Sequence, residues 1–497
     1  MDRTLIYWAA FIIYSLVVIA VGFYIYRRDR KSGQEYDNQS YWAAGKTLSG
    51  WASGLSISAS MMSISWSCVY GVQLFYWYGV GGAWLLIIPW LVTMAGFFLL
   101  APLFRKMEIF SQPELLEKRF GKKVRQFLAI PLIFVFTTWA GAEIYAAGIT
   151  IAPFLTISVP MTIFIIALVV SLYSFTGGFK AVVSTDKIQF ALVAVFILTI
   201  AIVGIGAAFS ISDFNSFWSV VSKPPKMHKE YSIFFSPGIT LILMTFFAYL
   251  PGWLVETDVW IRLQAAKSNK HARRGVLLAS LNSFIFVGLL PLVIGLTALY
   301  LYPAAEGNIP ARLNDGALIF SVMMQDFTPL WLNAILGIGL VAAAMSTIDT
   351  CGNVVALSIS YDLVEPQLQS RINSDKLNTI ARWTSVFAIF LAFVYALFTE
   401  SLWDIFYLSS GVLTTTVFLP VIASFLPGSK TSQVKLAIIF GFVGTILFYF
   451  MEIFGYLKNI EPAGIAETGL GYIILGFITS VLGFILGGIL KKKAIIE

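Results

Sequence analysis

Apolar stretches long enough to cross a bilayer recur along this chain and constrain its fold more than any other feature. They fall near 5–26, 48–75, 80–104, 126–156, 158–176, 179–208, 237–262, 274–301, 329–358, 379–399, 401–426, 435–456 and 470–490. Wound as a helix, each spans the roughly 30 Å of hydrocarbon in a membrane. With no water there to satisfy backbone N–H and C=O groups, a helix is the form such runs must take. The expectation is an all-α polytopic protein of thirteen transmembrane helices. With 58% hydrophobic and only 12% charged residues, the chain cannot clothe an ordinary water-facing surface. No linker or low-complexity stretch divides it, so a single transmembrane domain over 1–497 is expected.

Lys and Arg are retained on the cytoplasmic side of membranes, so alternate loops test the topology. With the N-terminus outside, 26 of the 33 basic residues fall on the inner side, among them Arg27, Arg28, the Arg105–Arg125 cluster and Arg262–Arg274. Arg3, Lys223, Lys226, Lys229, Arg312 and Lys458 fall outside, and Lys187 lies within a span. The expected localisation is a multi-pass cell membrane protein with its C-terminus in the cytoplasm. The first run lacks a small-residue cleavage site and reads as a retained helix.

Enzyme chemistry finds little support. His228 and His271 lie in loops without a partner at ligand spacing, and Cys68 and Cys351 lie in apolar runs, where packing is the expected role. The net charge of +7 resides in loops and forms no basic face for nucleic acid.

Two spans break the apolar pattern. Residues 50–67 are small and polar, Gly50-Trp51-Ala52-Ser53-Gly54 continuing through Ala59-Ser60-Met61-Met62-Ser63. The seventh span carries Tyr249-Leu250-Pro251-Gly252-Trp253 and then Glu256, Thr257 and Asp258. Small residues can simply pack closely, but proline frees carbonyl groups that need partners. The two interruptions lie five spans apart and run in opposite directions, the signature of inverted repeats in secondary transporters, whose substrates and ions bind where helices unwind.

Five carboxylates at membrane depth invite functional readings: Glu143, Asp186, Glu256, Asp258 and Asp349. Asp258 and Arg262, four apart, are expected to pair at the inner water interface. Ser346, Asp349 and Thr350 share one helical face, whose oxygens suit a hard monovalent cation.

The run Tyr173-Ser174-Phe175-Thr176-Gly177-Gly178-Phe179-Lys180-Ala181, followed by Ser184-Thr185-Asp186-Lys187-Ile188-Gln189, resembles the signature of the sodium/solute symporter family. Ala343-Ala344-Met345-Ser346-Thr347 and Trp260-Ile261-Arg262-Leu263-Gln264-Ala265-Ala266-Lys267 extend the resemblance over nearly the whole chain. It implies a leucine-transporter-like 5+5 inverted-repeat core, with repeats at 48–208 and 237–426, a lead helix at 5–26 and two further helices at 435–490.

The resemblance implies Na⁺ as coupling ion, held by the carbonyls of Ala59, Met62 and Ala343 and the hydroxyls of Ser346 and Thr347. A second sodium or proton site would take Asp186, Ser346, Asp349 and Thr350. Asp349 departs from the family pattern, which has a hydroxyl residue there; an added acid alters ion stoichiometry or adds proton coupling. Pro251-Gly252-Trp253 also departs, so the solute cannot be assigned by analogy.

The function expected is sodium-coupled symport of a small polar organic solute into the cell by alternating access. A proton-coupled or mixed symporter of the same fold, and a transporter-like membrane sensor, are the alternatives. The solute pocket is expected among spans two, four, seven and eleven, from Ser63, Trp66, Trp139, Glu143, Trp253, Glu256 and Tyr407. Each tryptophan could equally sit at the lipid interface. An acidic pocket suits an amine-bearing or hydroxyl-rich solute. The partners expected are that solute and the bilayer, without nucleic acid or an obligate protein.

Overall fold

The computed structural model describes residues 3–31, 44–107, 109–175, 179–211, 213–305, 307–368 and 374–489. The signature's Thr176-Gly177-Gly178, along with Arg371 and Lys491–Lys493, lies outside these residues. Among the described residues eleven helical stretches are long and apolar enough to cross a membrane, and Val159–Ser174 is a shorter apolar helix. One of the eleven, Ile64–Lys106, is interrupted at Gly79, whose φ of +57° suits a residue without a Cβ. The arrangement is compatible with thirteen crossings.

The surface is that of a protein solvated by lipid. Ile13, Leu99, Ile202, Leu243 and Leu447 are each more than half exposed, while Ser56, Ser65, Thr245 and Asp186 are wholly buried. Apolar side chains outside and hydroxyls inside reverse the usual pattern, because lipid tails solvate the former and only protein groups can bond the latter.

The second span is two helices. Gly50–Met61 is capped by the Ser49 hydroxyl, which accepts from the N–H of Ala52, and it packs against Asn269–Ser283 of the eighth span. Glycine permits that approach, since a Cβ on Gly54 would meet the carbonyl oxygen of Gly275 at 2.8 Å. The last helical bond runs from the N–H of Met62 to the carbonyl of Ser58, 2.9 Å. Ser63 is then extended (φ −77°, ψ 161°), and a π-helical turn, Ile64–Gly71, starts the second half. The chain is therefore helical through Met61 and opens at Met62–Ser63.

The seventh span breaks later than its proline suggests. Helix Ile239–Trp253 runs through Pro251, and the break comes at Leu254–Glu256, before Thr257–Ala265. The hydroxyl of Thr414 bridges the weakened turn, accepting from the N–H of Gly252 (3.0 Å) and donating to the carbonyl of Ala248 (2.7 Å). A neighbouring hydroxyl thus replaces a lost turn bond and keeps the helix intact past the proline.

Helix Leu330–Leu357 of the ninth span packs against the fourth span, Lys122–Leu155, and the sixth, Phe179–Ile211. It is also in contact with the first half of the second span. These contacts bring the polar residues of four spans together.

Candidate functional site

The carbonyls of Ala59, Ser60, Met61 and Met62 lie beyond the last bond of their helix, as the final four carbonyls of any helix do. The hydroxyl of Thr347 donates to one of them, Ser60, at 3.1 Å. The unwound end of the second span and the Ser346-Thr347 step of the ninth are thereby adjacent. Ala343, Ser346 and Thr347 share one helical face by their three- and four-residue spacing. Ser346 donates its hydroxyl proton to Asp186 at 2.8 Å. Both hydroxyls donate elsewhere, so their oxygen lone pairs remain for a cation.

Arg262 sits beneath this junction. Only 1% exposed, it pairs with Asp258 at 3.4 Å and with Asp186 at 3.5 Å. It donates to Ser56 (2.9 Å), Ser60 (2.9 Å) and Thr350 (3.0 Å). Ser56 in turn donates to Asp186 at 2.5 Å. The Asp258–Arg262 pair expected at the water interface is instead interior, because Arg262 must satisfy groups on the second, sixth and ninth spans that have no water. Sequence spacing showed the pair but not its other partners.

The four residues of the second expected ion site divide. Asp186 and Ser346 bond each other, Thr350 faces Ser60 and Arg262, and Asp349 accepts from Ser174 of the fifth span at 2.7 Å.

A cavity adjoins the junction, and Ser60, Thr347 and Thr350 line it. Ser63, Trp66, Trp139, Glu143, Trp253 and Glu256 line it too. Tyr407 does not; it stacks on Tyr249 with centroids 4.9 Å apart and bonds Thr245 behind the wall. Trp66 and Trp253 are buried, not at a lipid interface, because they pack edge to face with centroids 5.5 Å apart. Trp90, Phe136, Phe406, Ser410 and Cys351 also contribute to the wall. Cys351, packed in the core as expected, also borders the cavity one turn beyond Thr347 on the same face.

Glu143 has a structural partner. It is 2% exposed and accepts from the backbone N–H of Ser65 at 3.3 Å and from the Ser65 hydroxyl. The carboxylate caps the second half of the broken span, where helix-end N–H groups favour negative charge.

A sequence model described as "Sodium:solute symporter family" matches residues 41–456. A sodium/glucose cotransporter of Vibrio parahaemolyticus is 28% identical over 78% of this chain and 74% of its own. A sodium/sialic acid symporter of Aliivibrio fischeri is 25% identical over 81% and 79%, and a sodium/proline symporter of Staphylococcus aureus 23% over 78% and 75%. The solved structure of a Na⁺-coupled sialic acid symporter, substrate-bound and outward-open, superposes with a TM-score of 0.72 at 19% identity, over 99% of both chains.

Proposed function

Since this chain belongs to the sodium:solute symporter family and is a Na⁺-coupled, multi-pass transporter of a small solute, we propose that it holds Na⁺ at the opened end of its second span and the solute in the adjoining aromatic cavity. The observation that carries this reading is the 3.1 Å bond from Thr347 to the carbonyl of Ser60. It joins an opened helix end to a hydroxyl-bearing helix, the donor set a monovalent cation needs. The carbonyls of Ala59, Met62 and Ala343 and the hydroxyls of Ser346 and Thr347 are the ligands. Asp186, one bond away through Ser346, adds negative potential.

Ion and solute cooperate because Thr347 belongs to both sites and is bonded to Ser60, which with Thr350 also lines the cavity. Sodium that pulls the second span onto the ninth also completes the cavity wall, so each ligand raises the other's affinity. The Arg262 network ties the same spans on the other side of the junction, and passage to the cytoplasm requires it to separate. Repeats at 48–208 and 237–426 supply the two broken helices. The loop charges orient the chain with its N-terminus outside the cell membrane.

A second reading rests on Asp349. Its carboxylate, set against Ser174, provides a proton site that would make the symport mixed in its ion dependence.

Solute counterflow in proteoliposomes tests the primary reading. Exchange should require Na⁺, fail when K⁺ replaces it, and lose sodium affinity in Thr347→Ala. Counterflow equally fast in K⁺ would refute the sodium site.

A further inference from the structure

Much of the cavity wall's donor capacity is already used within the chain. Three of its tryptophans have already committed their indole N–H: Trp90 to Ser283 (3.1 Å), Trp139 to Ser409 (2.6 Å) and Trp253 to Ser410 (3.2 Å). What these rings offer a ligand is their faces, one face of Trp253 being covered by Tyr249 with centroids 4.2 Å apart. Thr347 and Ser60 also donate away from the cavity, to the Ser60 carbonyl and to Thr350. No Lys, Arg or His is among the described residues lining it.

The helix end that could have taken an anion is closed as well. The second half of the broken span begins at the cavity, and Glu143 occupies its first N–H groups from within the chain. A solute carboxylate would have to displace a carboxylate that is already bonded.

Negative charge is in excess. Glu143, Glu256 and Asp258 all line the cavity. The guanidinium of Arg262, which pairs with Asp258, is shared with Asp186. Asp258 is 3% exposed, yet its Oδ1 has no hydrogen-bond partner. Buried carboxylates without a counter-charge are costly, so the site gains most from a ligand that carries one.

Resting on the solute site proposed above, we infer that the solute is a small organic cation without a carboxylate, its ammonium group set between the Glu256–Asp258 carboxylates and the faces of Trp66 and Trp253. Aromatic faces attract cations through the ring quadrupole, most strongly where water is excluded. The aromatic walls receive the alkyl part.

The test uses the purified full chain and thermal unfolding, with K⁺ as the reference salt. Sodium alone should stabilise the protein, and loss of that effect would count against the ion site and leave the solute class to be judged separately in K⁺. The probes are choline, its neutral isostere 3,3-dimethylbutanol, n-butylamine and butyrate. Choline or butylamine should bind at least tenfold more tightly than the isostere and the carboxylate. Glu256→Gln should weaken the ammonium probe at least tenfold while sodium stabilisation persists, and Trp253→Leu should weaken it while Trp253→Phe retains most of the binding. Equal binding of the isostere or butyrate, no response to either ammonium probe, or an unchanged constant in Glu256→Gln would each overturn the inference.

Discussion

The guanidinium of Arg262 lies 3.5 Å from the carboxylate of Asp186, joining the seventh span to the sixth in a region where both side chains are shut off from solvent. Ser56 stands between them, accepting from Arg262 and donating to Asp186, so the first half of the broken second span is bonded into the pair. Breaking a buried pair by removing one partner typically costs about 3–5 kcal/mol, because the other charge is stranded. Arg262→Ala should lower stability by about that amount in detergent, measured as an unfolding midpoint. Arg262→Lys should recover only part of the loss, since an ammonium cannot span donors to Ser56, Ser60, Thr350 and two carboxylates.

Thr347→Ala removes one proposed ion ligand and the bond to Ser60 together. The half-saturating sodium concentration for transport should rise about tenfold or more, equivalent to about 1.4 kcal/mol. Thr347→Ser should keep most of the affinity, since the hydroxyl is the ligand. Sodium titration of counterflow in the two variants decides it. Equal sodium dependence in Thr347→Ala and the parent chain would remove Thr347 from the site.

Asp349 accepts from Ser174 and is the acid on which the proton reading rests. Asp349→Ser should flatten the pH dependence of transport while sodium remains required, because a serine still fits beside Ser174 but cannot carry a proton between aqueous phases. Initial rates across a pH series at saturating sodium make the comparison. An unchanged pH profile would discard the proton reading.

Gly252→Ala tests the packing of the seventh span on the eleventh. A Cβ there would lie 2.7 Å from Cβ of Leu413 and 2.9 Å from the backbone nitrogen of Thr414. Neither can swing away as a flexible side-chain end could. Overpacking of this kind costs about 1–3 kcal/mol. Because Thr414 also bridges the turn weakened by Pro251, the variant should lose both stability and transport.

Much was legible along the chain. The recurrence and length of the apolar runs determined that it folds as membrane helices, because unbroken apolar runs of that length satisfy their backbone in hydrocarbon only as helices. Pro251 and the Ser/Gly content of residues 50–67 marked the spans that break. The carboxylates at depth marked the polar interior, and the Ser346-Thr347 step marked the face that meets it.

Only the tertiary structure decided which carboxylate answers to which partner. Local spacing pairs Arg262 with Asp258, but Asp186, Ser56, Ser60 and Thr350 reach it from other spans. Glu143 reads from sequence as a free acid in an apolar helix, yet it caps a half-helix that begins near residue 64. Tyr407 has the right chemistry for the cavity and faces Tyr249 behind it. A membrane interior makes every polar group find a protein partner, and those partners come from distant spans whose approach no local pattern of residues records.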